Sequence, residues 1–167
     1  MAETQRFMRI LNVLQRRPDA QAVLSGSPKC PNLRGLVRFY QTARGVLVAA
    51  EVSGLPTSER RCDSEIFAFH IHCGEQCSGT CADPFANARE HNNPEHCPHP
   101  AHAGDMPPLF ASDGNAAQVF LTDRFTVREI IGKTVIIHDD VDDFTSQPSG
   151  NPGTKIACGE IRRPRNR

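Results

Sequence analysis

From residue 20 onward the chain alternates apolar and polar positions with a period of two. In PNLRGLVRFYQ, Leu33, Val37 and Phe39 fall on one face of an extended segment, with Arg34, Arg38 and Tyr40 opposite. In GVLVAAEVSGL, Val46, Val48, Ala50 and Val52 share a face. Half-buried strands have this pattern, and Thr42-Ala43-Arg44-Gly45 between the two runs reads as a hairpin turn. The same reading predicts strands over 20–25, 66–72, 116–122, 133–138 and 155–162, about seven in all. Ahead of them, Phe7, Ile10, Leu11 and Leu14 recur at helical spacing, and Pro18 ends the segment. A short helix is predicted there, docking its apolar stripe on the body of the domain.

Regularly spaced short strands with Gly/Pro turns indicate an all-β antiparallel sandwich or barrel. The 167 residues suit one such domain, and 12 Gly and 13 Pro supply the turns. The organisation expected is a helical extension over 1–19, the β domain over 20–162 and a basic tail over 163–167. Formal net charge is zero, which gives no field for nucleic acid or a membrane surface. No apolar run reaches the ~18 residues of a membrane span. ILNVL near the N-terminus is too short for a signal-peptide core, so the expected location is cytoplasmic, the alternative being a mature form whose leader has been removed. Seven cysteines are an odd count, and a reducing compartment argues against a general disulfide framework.

Two segments break the strand rhythm. Residues 73–112 have almost no apolar periodicity, and 139–154 (DDVDDFTSQPSGNPGT) are rich in Gly, Pro and Asp. Structureless loops of this length are uncommon unless functional. Six of the seven histidines crowd into residues 67–106: His70, His72, His91, His96, His99 and His102. Only His138, in TVIIHDD, lies outside. In FAFHIH the apolar Phe67, Phe69 and Ile71 alternate with Ala68, His70 and His72, so both imidazoles face away from the core, roughly 6–7 Å apart. The same parity sets His138 with Ile136, opposite Val135 and Ile137. A metal would then sit outside the barrel wall, roofed by the long loop. Within that loop His91-x7-His99-x2-His102-x2-Asp105 offers three imidazoles and a carboxylate, a set suited to tetrahedral zinc. His70, His72 and His138 form an all-imidazole set suited to copper or zinc. A zinc-ribbon reading of Cys73-x3-Cys77-x3-Cys81 with Cys97 is weaker, because the x3 spacing lacks the tight CxxC knuckle. His96 reads as a surface residue.

With these residues in place, the chain resembles the copper–zinc superoxide dismutases, of a bacterial kind with a shortened metal loop. The resemblance is carried by FHIH with His70 and His72, HNNP from His91, HPAHAGD from His99 to Asp105, VIIHDDVDDF around His138 and GTKIACGEI around Cys158. It spans roughly residues 20–161. It implies an eight-stranded antiparallel Greek-key barrel, an immunoglobulin-like sandwich with long metal-binding loops. It implies copper at His70, His72, His91 and His138, and zinc at His91, His99, His102 and Asp105, with His91 shared. Asp142 would orient a copper histidine and a zinc histidine together. Cys158 would bridge to a loop cysteine, Cys77 in first place and Cys81 in second. The implied activity is dismutation of superoxide anion, with His91 and Lys155 as catalytic residues. The rival is a non-catalytic copper/zinc-binding or metal-delivery module of the same fold. Family members are usually dimers, so a homodimer is open to this chain. Two departures stand out: Lys155 occupies the position of a usual arginine, and Asn92 follows the bridging histidine where an aromatic residue is common.

Overall fold

The computed structural model describes residues 10–58 and 65–165. Its strands are β1 (Ala20–Gly26), β2 (Arg34–Thr42), β3 (Gly45–Ser53), β4 (Ile66–Phe67), β5 (Phe69–His72), β6 (Leu109–Phe110), β7 (Asn115–Thr122), β8 (Thr134–His138) and β9 (Lys155–Arg162). Seven of them form one curled antiparallel sheet in the order β5-β8-β9-β1-β2-β3-β7, and β4 pairs with β6 in a small ladder. β4 and β5 are one bent strand interrupted at Ala68, whose N–H turns aside to the Asp140 carbonyl at 2.8 Å. Counted that way, the strands number eight, as the resemblance implies. β6 leads through a Ser112–Asn115 bridge into β7, so the β4–β6 ladder links the two edges of the sheet.

The pattern of alternation sets the layers. Leu33, Val37, Phe39, Val46, Val48, Phe69, Ile71, Val135, Ile137 and Ile161 point inward and form one buried cluster. Each large apolar side chain so buried contributes about 1.5–3 kcal/mol. The hairpin turn falls where predicted, with Thr42 opposite Gly45. Two elements in this region escape the sequence reading. β6 lies inside the stretch read as structureless, and a helical turn at Val127–Ile130 follows β7, closed by a capping box from Thr126 and Glu129.

The N-terminal helix is present over residues 10–15, but its buried side differs from the stripe predicted. Val13 and Leu14 pack on Tyr40, Leu47 and Ala49, on the outer face of β2 and β3. Ile10 and Leu11 are 44% and 40% exposed. The outer face of the hairpin offers only a narrow apolar strip, and one turn of helix covers it. Phe7 lies outside the described residues. No described helix is long and apolar enough to cross a membrane.

Candidate metal centre

β5, β8 and β9 form the wall that carries the site. Pairing sets His70 opposite Ile136, with Phe69 opposite Ile137 and Ile71 opposite Val135. Phe69 and Ile71 enter the core, so His70 and His72 stand on the outer face, and a bulge between Ile137 and His138 turns His138 toward them. The long loop covers this face. Its Cys77 is disulfide-bonded to Cys158 of β9, Cα atoms 5.6 Å apart, and Phe85, Ala88, Ile136 and Cys158 pack into a second apolar cluster around the bridge. The expected first choice of partner is therefore the one found. Cys30, Cys73, Cys81 and Cys97 are free, and a zinc ribbon through Cys77 is ruled out by its bond.

Two donor sets result. Ligand-type atoms of His70, His72, His91 and His138 all lie within 4.8 Å of one another, as do those of His91, His99, His102 and Asp105. His91 belongs to both. An isolated bridge between His72 and His91 brings the loop onto the wall at this point, and a second, between His70 and Asp105, closes it further along. Four of the rings are aimed from behind. His72 Nδ1 donates to the Arg89 carbonyl at 2.7 Å, which leaves Nε2 facing His138 Nε2 at 3.3 Å. His138 Nδ1 is 3.4 Å from the Gly153 carbonyl. Asp142 accepts from His70 Nε2 and from His99 Nε2, both at 2.8 Å, one on each carboxylate oxygen. Such bonds fix the tautomer and swing the opposite nitrogen into the site. Gly150 makes room for this carboxylate: at φ +76° a side chain is strained, and a Cβ there would strike Asp142 Oδ1 and come within 2.6 Å of His99 Nε2.

The donors are in the state a metal requires. Burial, joined by the neighbouring His138 and His91, holds His72 well below the ordinary imidazole range, and burial with His70 and His91 brings His138 down to about 3. His70 and His102 are lowered too, chiefly by burial. His70, His72, His102 and His138 are thus neutral at neutral pH, with lone pairs available. Burial would raise the carboxyls of Asp105 and Asp142, but hydrogen bonds from His91 to the first and from His70, the Phe144 N–H and His99 to the second keep both below the usual carboxylate range. Among the described residues, three buried side-chain nitrogens have no hydrogen-bond partner: His70 Nδ1, His91 Nε2 and His99 Nδ1. His99 Nδ1 lies 3.1 Å from Asp105 Oδ2, and His91 Nδ1 lies 2.8 Å from Asp105 Oδ1. A buried polar atom left without a partner costs about 1–3 kcal/mol, and these three point into the donor sets. The residues present fit two metal ions.

A cavity of about 680 Å³ opens onto the first set, lined by His72, His91, His138 and Lys155 among others. Lys155 is on its wall as expected, but its ammonium is bound to Asp83 Oδ2 at 2.8 Å and to the Phe85 carbonyl at 3.3 Å. Asp83 is therefore a residue the sequence reading missed; no local signal links it to a lysine 72 positions away. His96, Cys73 and Cys97 also line the cavity, outside both donor sets.

A curled antiparallel barrel wall with two imidazole-rich donor sets sharing one histidine defines a two-metal β protein. The family described as copper/zinc superoxide dismutase (SODC) matches residues 33–161. Among its relatives, Superoxide dismutase [Cu-Zn] 2 of Aquifex aeolicus is 35% identical over 144 residues, covering 77% of this chain and 78% of that protein. Superoxide dismutase [Cu-Zn] A of Xenopus laevis is 31% identical over 154 residues, 85% of this chain and 95% of that protein. The Superoxide dismutase [Cu-Zn] of Legionella pneumophila is 29% identical over 144 residues, 84% of each. The chain belongs to the copper/zinc superoxide dismutase family, whose cofactors are copper and zinc.

Proposed function

We propose that this chain dismutates superoxide, with copper held by His70, His72, His91 and His138 and zinc by His91, His99, His102 and Asp105. Two superoxide anions and two protons give one dioxygen and one hydrogen peroxide. The observation that carries the reading is the position of His91, the one side chain common to both donor sets, with Nδ1 against Asp105 and Nε2 buried without a partner. Copper, when bound, supplies the one-electron redox change that zinc cannot.

The chain's own residues do the rest. His91 Nε2 is the atom that takes up a proton and delivers it to the departing product. Asp105 Oδ1 accepts from His91 Nδ1 at 2.8 Å, which orients the ring and leaves Nε2 with the lone pair that takes up the proton. Asp142 joins the halves, because one carboxylate orients both His70 and His99. Lys155 adds positive potential to the cavity wall, weakened by its pairing with Asp83.

The test is a superoxide assay on protein reconstituted with both metals, with metal content measured alongside. The expected result is one copper and one zinc per chain with fast dismutation, and loss of both copper and activity in His138→Ala. Full activity in that variant would refute the assignment.

A further inference from the structure

Three of the four zinc donors arrive on one short stretch of loop, and that stretch has little core of its own. His99, His102 and Asp105 sit within seven residues that include no strand. Something must hold their backbone, since a shift of about 1 Å is enough to degrade a site of this kind. Two side chains from elsewhere in the chain bond to that backbone.

Arg124 is the first. Its Nη1 donates to the main-chain carbonyls of Pro100 at 2.8 Å, His102 at 3.2 Å and Asp105 at 3.4 Å. It bonds the Asp105 carbonyl and leaves the Asp105 carboxylate to His91, His99 and His102. Its own mount is rigid. Arg124 lies between the end of β7 and Phe125, which is buried in the core and meets Phe39 edge-on at 6.3 Å. Its backbone N–H is held by Thr122 Oγ1 at 3.3 Å.

Gln147 is the second, reaching in from the loop that follows His138. Its Oε1 accepts from the His99 N–H at 3.0 Å, and its Nε2 donates to the His99 carbonyl at 2.7 Å. The amide thereby pairs with both main-chain groups of one residue, as a neighbouring strand would. Gln147 Oε1 and Nε2 and Arg124 Nη1 are engaged by main-chain groups, and neither residue is in the two donor sets.

We propose that Arg124 and Gln147 are positioning residues of the zinc half. They hold the backbone of 99–105 from two separate loops, so that His99, His102 and Asp105 stand in ligand geometry before the ion arrives. The proposal rests on the assignment of those residues to zinc. It also gives the 139–154 loop a role: Asp142, near its start, reaches the imidazoles, and Gln147, at its middle, reaches the main chain.

The experiment measures zinc and copper affinities separately, by competition with chelators, in wild type, Arg124→Ala, Arg124→Lys, Gln147→Ala and Gln147→Glu. Cobalt(II) in the zinc position supplies a visible spectrum that reports ligand geometry. Arg124→Ala and Gln147→Ala are each expected to weaken zinc by roughly tenfold or more and to broaden the cobalt spectrum, with copper affinity unchanged. Arg124→Lys should recover part of the loss, since an ammonium still donates to carbonyls. Gln147→Glu should not recover, because it faces the His99 carbonyl with a second acceptor. Unchanged zinc affinity, or equal losses of zinc and copper, would overturn the proposal. His102→Ala separates the two failures. If wild type binds no zinc that this change abolishes, the zinc assignment itself is wrong; if it does, and the Arg124 and Gln147 variants match wild type, only the positioning role falls.

Discussion

Replacing Asp142 with asparagine removes a charge and one acceptor while leaving the shape, and the structure says which metal suffers. Asp142 Oδ1 accepts from two donors, the Phe144 N–H and His99 Nε2, each at 2.8 Å; Oδ2 accepts only from His70 Nε2. An asparagine keeps its oxygen where two donors need it, so its NH2 group turns toward His70. Two donors then face each other in a buried site. Either the pair stays unsatisfied, at about 1–3 kcal/mol, or the His70 proton moves to Nδ1, the nitrogen aimed into the four-histidine set. Both outcomes weaken copper, by roughly 5- to 150-fold, because 1.4 kcal/mol is about a factor of ten. Zinc keeps the bond that orients His99 and should lose much less. Chelator competition for each metal gives the two affinities, and imidazole nitrogen NMR of the metal-free variant reports the His70 tautomer. An equal loss of zinc and copper, or unchanged copper affinity, would refute this reasoning.

Three further outcomes follow from other contacts. Cys77→Ser opens a loop of 81 residues, for which chain entropy gives about 4.5 kcal/mol; a loss of about 2–5 kcal/mol in a denaturant titration is expected, and no change would mean that the bond does not constrain the unfolded chain. Asp83→Asn releases the Lys155 ammonium, so dismutation should speed up at low ionic strength and become more sensitive to salt; an unaltered rate would remove Lys155 from any electrostatic role. The metal-free protein should be acid-labile. His138 titrates at about 3 when folded against an ordinary 6.5, so below the ordinary value the unfolded chain binds protons that the fold excludes. Stability is intact above about pH 6.5 and is lost as the pH falls toward about 3. Denaturation midpoints across that window check the sign, and a flat profile would contradict the burial of His138 as a neutral ring.

Much of this was legible in the sequence because one rule, alternation along a strand, both builds the barrel and aims the ligands. FHIH states its core residues and its imidazoles in four letters, and TVIIH repeats the message. What stayed hidden lacks a period. β6 is two residues long, too short to alternate, and the helical turn at 127–130 offers a single turn of pattern. The N-terminal stripe had the right spacing, but Val13 took the place of Ile10 and Leu11, because the surface it meets, rather than the helix, decides which flank is covered. Arg124 and Gln147 bond to main-chain atoms, which are the same for every residue type, so nothing in the partner's letters points back to them. Asp83 and Lys155 meet only because the disulfide and the apolar cluster around it fold the loop against β9.

The imidazoles stand on the outside of a wall whose inside is sealed by Phe69, Ile71, Val135 and Ile137. Stripping the ions therefore exposes no oil to water, and the shell can outlive its contents.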